Sequence, residues 1–408
     1  MNTIKNSNVS ETSTETNSLE DEPPLIQEEI ITESTVTLPV QADFSKWDNW
    51  SWQMKHRIKT LKDLKEYFPL LQDADNIQKA GDVFSYAITP YYASLIRNLS
   101  PNDPIYAMSV PQIAELNNPS YLNDDPLHEE KYTPVPGLIH RYKDRALLIT
   151  TSSCAMYCRH CTRKRVSGQI DKCIGEYQLS KIIAYLQEHS EIKDVIISGG
   201  DPLTMSTSKL ESIISQVRSV KSVDIIRIGT RTPVVMPMRI TDELVNMIKK
   251  YHPIYVNTHF NHPCELTPQA IEACSKLANA GIPLGNQTVL LKGVNDDPIV
   301  MEDLLRGLLK ARVKPYYIFQ CDLVRGVEHF RTTISKGIEI MEHLRGNISG
   351  LGIPDYIVDS PQGGGKLPIL PNYIITTDDK FTVLRNPEGE FIVYPEPQEW
   401  REDLKVFS

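Results

Sequence analysis

The 408-residue sequence lacks any long hydrophobic run. No stretch approaches the roughly 18 uninterrupted apolar residues that a membrane-spanning helix needs. The polar N-terminus also lacks the basic and apolar regions that make up a secretory signal. We therefore expect a cytoplasmic protein that has no membrane partner.

Positive charge is not in excess, since 43 Lys and Arg face 52 Asp and Glu and the formal net charge is -9. Binding to nucleic-acid phosphates requires Lys and Arg clustered over an extended face, so no nucleic-acid partner is expected. Residues 1–40 hold eight of the acids and one base, Lys5, which leaves the remainder nearly neutral. This stretch is rich in Ser, Thr, Asn and Glu and is predicted to be a disordered acidic tail.

Cysteine is scarce, with seven residues in the chain, and an odd number without an export signal indicates reduced thiols. Three of them, Cys154, Cys158 and Cys161, nevertheless lie within eight residues. A structural zinc site needs four ligands, and no second C-x-x-C or His pair follows. Three thiolates on one loop instead suit three irons of a 4Fe-4S cluster whose fourth iron is open to a non-protein ligand. From spacing alone, reduced core thiols and a non-catalytic iron-sulfur or zinc module stay open.

From Arg145 onward, short apolar runs alternate with longer amphipathic segments. This alternation predicts βαβ units around a buried parallel sheet. Eight units are needed to close a barrel, so six predict an α/β fold with a partial (β/α)6 barrel at residues 145–345. Residues 41–144 are predicted to be a helical N-terminal segment that ends in a Pro-rich connector, and residues 346–408 a small β-rich C-terminal cap. The predicted strands are "RALLITT", "DVIISGG", "VDIIRIGTRT", "PIYVNTHF", "IPLGNQTVLL" and "VKPYYIFQ".

A lysine follows three glycines in "PQGGGKLP". Glycine permits close approach of the backbone to a ligand, and a lysine held there can be desolvated and become nucleophilic. The phosphate-loop pattern fails because Leu367 follows the lysine. From these residues alone, a solvated Lys366 in a flexible loop remains the alternative.

The spacing C-x3-C-x2-C resembles that of radical S-adenosylmethionine enzymes, in which the methionine amine and carboxylate chelate the unique iron. Further motifs over about residues 44–394 resemble those of lysine 2,3-aminomutases in content and order: "HRYKDRALLIT", "SGGDPL", "NTHFNHP", "PLGNQTVLLKGVND", "FQCDL" and "VDSPQGGGK". The resemblance implies a partial barrel of the radical S-adenosylmethionine type. It also implies an isomerase that interconverts L-lysine and β-lysine by a 5'-deoxyadenosyl radical and a pyridoxal phosphate aldimine.

The resemblance assigns residues to three cofactors, a 4Fe-4S cluster, S-adenosyl-L-methionine and pyridoxal 5'-phosphate. Two guanidiniums with a phenol between them suit a phosphate dianion, and an exposed glycine backbone can meet the methionine ammonium. Without the resemblance, the two arginines and the tyrosine would be interpreted as a surface cluster and the glycines as a strand-ending turn. The residues assigned to the adenosyl group would be interpreted as ordinary polar packing. The implied residues are Cys154, Cys158 and Cys161 for the cluster; Gly199, Gly200 and Asp201 for the methionine; His259 and Gln287 for the adenosyl group; Lys366 for the pyridoxal; and Arg141, Tyr142 and Arg145 for its phosphate.

The resemblance also assigns the two ends of the substrate. Arg163 would pair with the substrate carboxylate, for which a bidentate guanidinium is suited, and Asp322 and Asp359 would receive the distal ammonium. An anionic pair selects a cationic side chain, whereas a relative acting on glutamate would need neutral or positive residues there. The alternatives are an aminomutase for arginine or for a protein-bound lysine and, outside the enzymes, an iron-sulfur redox or interaction module.

The implied partners are L-lysine and a reducing electron donor such as flavodoxin or ferredoxin. Clostridial-type members carry a structural zinc on a cysteine after "GVND" and on a cysteine-rich C-terminal tail. This chain has Asp297 and a tail without cysteine, so zinc is not predicted and a homo-oligomer is left open. Phe319 replaces the tyrosine that is usual before "QCD". Three further cations of the cysteine loop either stabilise an anionic cluster or face solvent: Arg159, Lys164 and Arg165.

Overall fold

The computed structural model describes residues 44–166, 168 and 172–397. Short helices come first along the chain, then alternating strands and helices, and finally a small antiparallel sheet. The predicted acidic tail, residues 1–40, lies outside the described residues. Among the residues that are described, no helix combines the length and the apolarity that a membrane span requires.

A nine-stranded sheet forms the centre of the fold, and its strands lie side by side in chain order. Seven strands run parallel, whereas the strand at each edge runs antiparallel to its neighbour. The strands are β1 (Leu138–Tyr142), β2 (Arg145–Thr151), β3 (Asp194–Gly199), β4 (Ile225–Gly229), β5 (Ile254–Thr258), β6 (Leu284–Leu290), β7 (Lys314–Gln320), β8 (Asp355–Ser360) and β9 (Gly365–Pro368).

Helices connect the parallel strands and pack against the sheet. One of them buries Met301, Leu304, Leu305 and Leu308, which recur at helical spacing, and so presents one apolar side to the core. The helices are α1 (Trp50–Lys55), α2 (Leu61–Tyr67), α3 (Ala74–Val83), α4 (Pro90–Ala93), α5 (Pro104–Ser109), α6 (Glu176–Glu188), α7 (Thr207–Ser219), α8 (Thr232–Val235), α9 (Asp242–Ile248), α10 (Pro268–Asn279), α11 (Pro298–Lys310) and α12 (Ile334–Asn347).

Alternate residues of the parallel strands face different surroundings, as the two-residue period of a strand requires. In β6, every second residue from Leu284 to Leu290 is buried. The residues between them include Gly285, Gln287 and Val289, which line a cavity. The inner face of the curled sheet therefore forms the wall of this cavity.

The six predicted strands are confirmed as β2 to β7, and the partial barrel is confirmed as an open, curled sheet. The sheet nevertheless extends past both ends of the predicted barrel, residues 145 and 345. At one end β1 pairs with β2; at the other, β8 adds a seventh parallel strand and β9 turns back along it. The difference arises because a local pattern predicts a strand without stating its pairing partner.

Three further strands form a separate antiparallel sheet, namely β10 (Ile374–Thr377), β11 (Phe381–Arg385) and β12 (Phe391–Pro395). Large apolar side chains on this sheet are exposed, among them Phe391 and Val393. These strands are the part of the predicted β-rich cap that stands apart from the central sheet.

Candidate active site

A cavity of about 860 Å³ runs along the inner face of the central sheet. Nine of the fifteen residues assigned from the sequence line it, and they come from segments spread over more than 200 positions of the chain. The cysteines and residues 199–201 are not among the lining residues. The nine are Arg141, Tyr142, Arg145, Arg163, His259, Gln287, Asp322, Asp359 and Lys366.

Lys366 lies in β9, directly opposite Asp359 of β8, and not in a flexible loop. Its Nζ contacts Oδ2 of Asp359 and stands 4.5 Å from the ring centroid of Phe319. The strand pairing thus holds an amine and a carboxylate face to face inside the cavity. An ordered, half-buried amine is suited to covalent attachment of a carbonyl cofactor.

The two edges of the sheet meet across the cavity through side chains. Nη1 of Arg141, at the end of β1, lies 3.4 Å from Oδ1 of Asp359, and the backbone N–H of Lys366 donates to the hydroxyl of Tyr142 at 3.1 Å. A Cβ atom on Gly365 would lie 3.9 Å from both Nη2 of Arg141 and the hydroxyl of Tyr142. The residue assigned to the pyridoxal aldehyde and the residues assigned to its phosphate are therefore neighbours.

Nη2 of Arg141 is buried and finds no hydrogen-bond partner among the described residues. A buried donor left unpaired is costly, and a phosphate oxygen is a strong acceptor for a guanidinium. The guanidinium of Arg145 stacks 4.1 Å from the ring centroid of Tyr142 and also lines the cavity. This arrangement fits the phosphate of pyridoxal 5'-phosphate.

Asp322 follows β7, and its Oδ2 accepts a hydrogen bond from the Thr162 hydroxyl at 2.6 Å. Burial and, to a smaller extent, the nearby Asp359 carboxylate raise the pKa of Asp322 to about 6, against the opposing effects of Thr162, Lys366 and Arg163. Two carboxylates and one ammonium thus share this end of the cavity. Removing or covalently engaging that ammonium would leave the pair in need of another cation.

Arg163 is already paired inside the protein. Its Nη2 and Nε donate to Oε1 of Glu129 at 2.6 and 3.0 Å, which leaves Nη1 as the nitrogen that Glu129 does not engage. Burial alone would raise the pKa of Glu129, but Arg163 and Arg165 outweigh it and lower that pKa. Sequence reasoning missed Glu129, which lies in the Pro-rich connector where no spacing pattern marks it.

The three cysteines lie in the loop between β2 and α6. Burial raises the pKa of the Cys154 and Cys161 thiols; Cys158 raises both further, and Asp201 also raises that of Cys154. Within the described ranges, no three His, Cys, Asp or Glu side chains are arranged around one metal ion. A cubane binds each thiolate through a different iron, so its ligands need not converge on one point. Three soft sulfur donors on one buried loop fit a 4Fe-4S cluster.

A buried arginine that sequence reasoning missed touches this loop. Nη1 of Arg231 donates to Sγ of Cys158 at 2.7 Å, and its Nη2 donates to Oε1 of Glu265 at 2.6 Å. Burial by itself lowers the pKa of Arg231, but Cys158 and Glu265 more than compensate and raise it. Its place two residues after β4, where barrel enzymes carry functional side chains, was a signal for it.

The glycines after β3 pack against the start of the cysteine loop. Gly199 has a φ of +129°, and a Cβ atom on Gly200 would lie 2.3 Å from the carbonyl oxygen of Ser153. Asp201 directs its carboxylate inward, where it accepts from the Thr230 hydroxyl at 2.7 Å and the backbone N–H of Arg231 at 2.8 Å. The structure thus gives Asp201 a role in holding the loop after β4, and its contact with the methionine group stays a prediction.

His259 and Gln287 are neighbours on the cavity wall, as their shared assignment requires. Nδ1 of His259 donates to the carbonyl oxygen of Gln287 at 3.1 Å. Burial lowers the pKa of His259 to about 4, so the imidazole is neutral near pH 7. His160 also lines the cavity, and its buried Nδ1 has no partner among the described residues.

The other cations of the cysteine loop do not simply face solvent, and their stabilisation of an anionic cluster stays a prediction. Arg159 and Lys164 both bind Glu115, at 2.6 and 3.0 Å, and Arg165 binds Glu129 at 3.1 Å. Each cation is paired with a carboxylate of the N-terminal segment. They fasten the cysteine loop to that segment.

Two protein families match the chain. Residues 148–304 match the Radical SAM superfamily, and residues 341–405 match the family described as Lysine-2,3-aminomutase. The L-lysine 2,3-aminomutase of Acetoanaerobium sticklandii is 51% identical over 355 residues, which cover 87% of this chain and 86% of that protein. The protein of the same name from Clostridium subterminale is 51% identical over 352 residues, covering 86% and 85%. Glutamate 2,3-aminomutase of Clostridioides difficile is 48% identical over 347 residues, covering 85% and 82%.

Proposed function

The chain belongs to the lysine 2,3-aminomutase family, and we propose that it interconverts L-lysine and β-lysine by moving the amino group between C2 and C3. It is an isomerase of the radical S-adenosylmethionine class that uses a 4Fe-4S cluster, S-adenosylmethionine and pyridoxal phosphate. The observation that carries the choice of lysine is the pair of carboxylates, Asp322 and Asp359, around one ammonium group in the cavity.

When bound, the cluster and S-adenosylmethionine supply the radical that removes hydrogen from an unactivated carbon, and pyridoxal phosphate carries the migrating amino group. The protein positions and encloses these groups. In the proposal, the three cysteines hold the iron, Lys366 holds the pyridoxal, and Arg141, Tyr142 and Arg145 hold its phosphate. His259 and Gln287 face the adenosyl group from the neighbouring wall. The enclosing cavity excludes water from the reactive species.

Overall identity does not choose the substrate, since the lysine and glutamate enzymes match this chain almost equally well. The cavity favours lysine because the Lys366 ammonium already contacts Asp359 and lowers the pKa of Asp322. The distal group of lysine is the same chemical group. The distal carboxylate of glutamate would instead meet two carboxylates, and like charges in a buried site repel strongly. Nη1 of Arg163 is the donor proposed for the substrate carboxylate.

Product analysis tests this function. The chain is reconstituted anaerobically with iron, sulfide, pyridoxal phosphate, S-adenosylmethionine and a reductant, and then given lysine, arginine, ornithine or glutamate. We expect β-lysine from lysine and the least product from glutamate. Failure to form any β-amino acid while S-adenosylmethionine is cleaved would contradict an aminomutase, and preferential formation of β-glutamate would overturn the choice of lysine.

The affinity for lysine is expected to depend on pH through Asp322. A pKa raised to about 6 means that this carboxyl is protonated below pH 6 and ionised above it, and only the ionised form attracts an ammonium. We therefore expect kcat/KM for lysine to fall about tenfold per pH unit below 6 and to level off above about 7, because kcat/KM follows the free enzyme. The measurement is kcat/KM between pH 5 and 8 for the parent chain and for Asp322→Asn, in which this inflection should be absent. A profile that is flat for the parent chain, or unchanged in the variant, would show that Asp322 does not meet the ammonium.

We further propose a cytoplasmic protein that receives electrons from flavodoxin or ferredoxin. The guanidinium of Arg57 donates to the carbonyl oxygen of Cys154, and Lys55, Lys62 and Lys65 are exposed in the helices on either side of it in the chain, α1 and α2. A basic segment that contacts the cysteine loop through Arg57 supports an acidic electron carrier as partner. The exposed apolar side chains of β10 to β12 support a homo-oligomer, which light scattering of the purified chain would detect.

A further inference from the structure

We propose that the buried ion pair of Arg231 and Glu265 sets the reduction potential of the iron-sulfur cluster. Arg231 would raise that potential by placing a cation against the Cys158 sulfur, and Glu265 would limit the rise. The inference rests on the proposed function, because it presupposes a cluster on the three cysteines. It assigns both side chains as positioning residues for electron transfer.

The guanidinium of Arg231 is held on three sides. Besides the contact of 2.7 Å with Sγ of Cys158, its Nε donates to the carbonyl oxygen of His259 at 3.2 Å, and its Nη2 donates to the carboxylate of Glu265 and the hydroxyl of Tyr92. Arg231 is 7% exposed. The cation therefore has neither the room nor the free donors to turn away from the cysteine loop.

Glu265 is fully buried behind this cation. Its carboxylate accepts from Arg231, from the Tyr92 hydroxyl at 2.7 Å, and from the backbone N–H groups of Asn261 and His262. Four donors converge on one side chain and fix it in place. Arg159 and Lys164, by contrast, direct their charges to Glu115.

Reduction adds an electron, and therefore negative charge, to a cluster. A cation that donates to a ligand sulfur stabilises the reduced form and raises the potential, whereas a nearby carboxylate has the opposite effect. Burial strengthens both effects because the low dielectric weakens screening. Removing the cation and removing the anion should consequently shift the potential in opposite directions.

The test is the midpoint potential of the reconstituted cluster, measured by a redox titration followed by electron paramagnetic resonance, with iron content determined for every variant. We expect Arg231→Met to lower the equilibrium constant for reduction of the cluster about tenfold, which lowers the midpoint potential by about 59 mV for one electron. Glu265→Gln should shift the potential upward, and Arg231→Lys, which keeps the charge, should stay close to the parent chain. Arg239→Met is the matched control, because Arg239 is also buried but donates to the carbonyl oxygens of Leu203 and Met205.

Shifts of opposite sign in Arg231→Met and Glu265→Gln support the inference. A parent-like potential in Arg231→Met at full iron content overturns it, and so do shifts of the same sign in both variants. If Arg231→Met does not retain iron, Glu265→Gln decides, since an unchanged potential there overturns the inference as well. The formation of β-lysine by the parent chain is measured separately, so that failure of the proposed function is distinguished from failure of this inference.

Discussion

Replacing Lys366 with alanine is expected to abolish the retention of pyridoxal phosphate and to lower aminomutase activity at least ~1,000-fold, the order seen when a covalent catalytic residue is removed. The amine of Lys366 sits opposite Asp359 inside the cavity, and the other carboxylate oxygen of Asp359 lies 3.4 Å from Nη1 of Arg141. Alanine offers no nucleophile at this point, although the phosphate donors stay in place. The measurement is the visible absorbance of bound cofactor after gel filtration, together with iron content and product rate.

Two variants separate loss of the nucleophile from loss of charge. Lys366→Arg keeps a cation beside Asp359 but offers a guanidinium, which stays protonated and is not nucleophilic, so it should lose the cofactor as alanine does. Lys314→Ala is the matched control, since Lys314 lines the same cavity but donates to the carbonyl oxygens of Leu351 and Ile353. It should retain the cofactor. Full cofactor binding by Lys366→Ala would show that another group holds the pyridoxal.

Asp322→Asn is expected to lower kcat/KM for lysine by roughly 10²-fold to 10³-fold while iron and pyridoxal phosphate are retained. Truncating one partner of a buried, hydrogen-bonded charge pair costs about 2–5 kcal/mol, and asparagine keeps the volume of the side chain while losing its charge. Asp359→Asn should lose as much, with weaker cofactor binding in addition, because Asp359 also contacts Lys366 and Arg141. Steady-state kinetics with lysine and glutamate would measure both effects.

The contrast between substrates makes this prediction specific. The ratio of kcat/KM for lysine over glutamate should fall in both aspartate variants, since the charge that repels a distal carboxylate is reduced. Asp194→Asn is the control, because Asp194 lines the same cavity and is bound to Arg227 at 2.6 Å. Its selectivity should be unchanged. An equal loss with both substrates in Asp322→Asn would mean that this residue supports the fold and does not choose the substrate.

The strands β2 to β7 could be predicted because each is a short apolar run followed by an amphipathic helix, and both signals are local. The strands β1 and β8 could not be placed in the same way. The run "YIVDS" predicts β8. Its pairing with β7, however, depends on the packing of α12, the helix that connects the two strands. β1 lies at the end of a Pro-rich connector and becomes a strand by pairing with β2. The pairing of both strands is a tertiary interaction, which a local stretch of sequence does not specify.

The same distinction explains which parts of the site were predictable. The cysteine loop and Lys366 carry their chemistry in contiguous motifs. Glu129 and Arg163 are 34 positions apart, as are Arg231 and Glu265, and Arg231 reaches Cys158 over 73 positions. Each of these side chains is an ordinary charged residue in its own segment. Their role in the site depends on a partner that comes close only when the chain folds.

The contacts between Arg141 and Asp359 and between Tyr142 and Lys366 have a thermodynamic consequence. In the central sheet, β1 and β9 are not hydrogen-bonded neighbours, and the contacts described above join the two ends of the sheet through the side chains of Arg141 and Tyr142. In the proposed assignment, pyridoxal phosphate would be gripped through its phosphate by one edge and through its aldehyde by the other. The coenzyme would then hold the two edges of the sheet together. Any increase in the free energy of coenzyme binding would increase the free energy needed to separate these edges by the same amount.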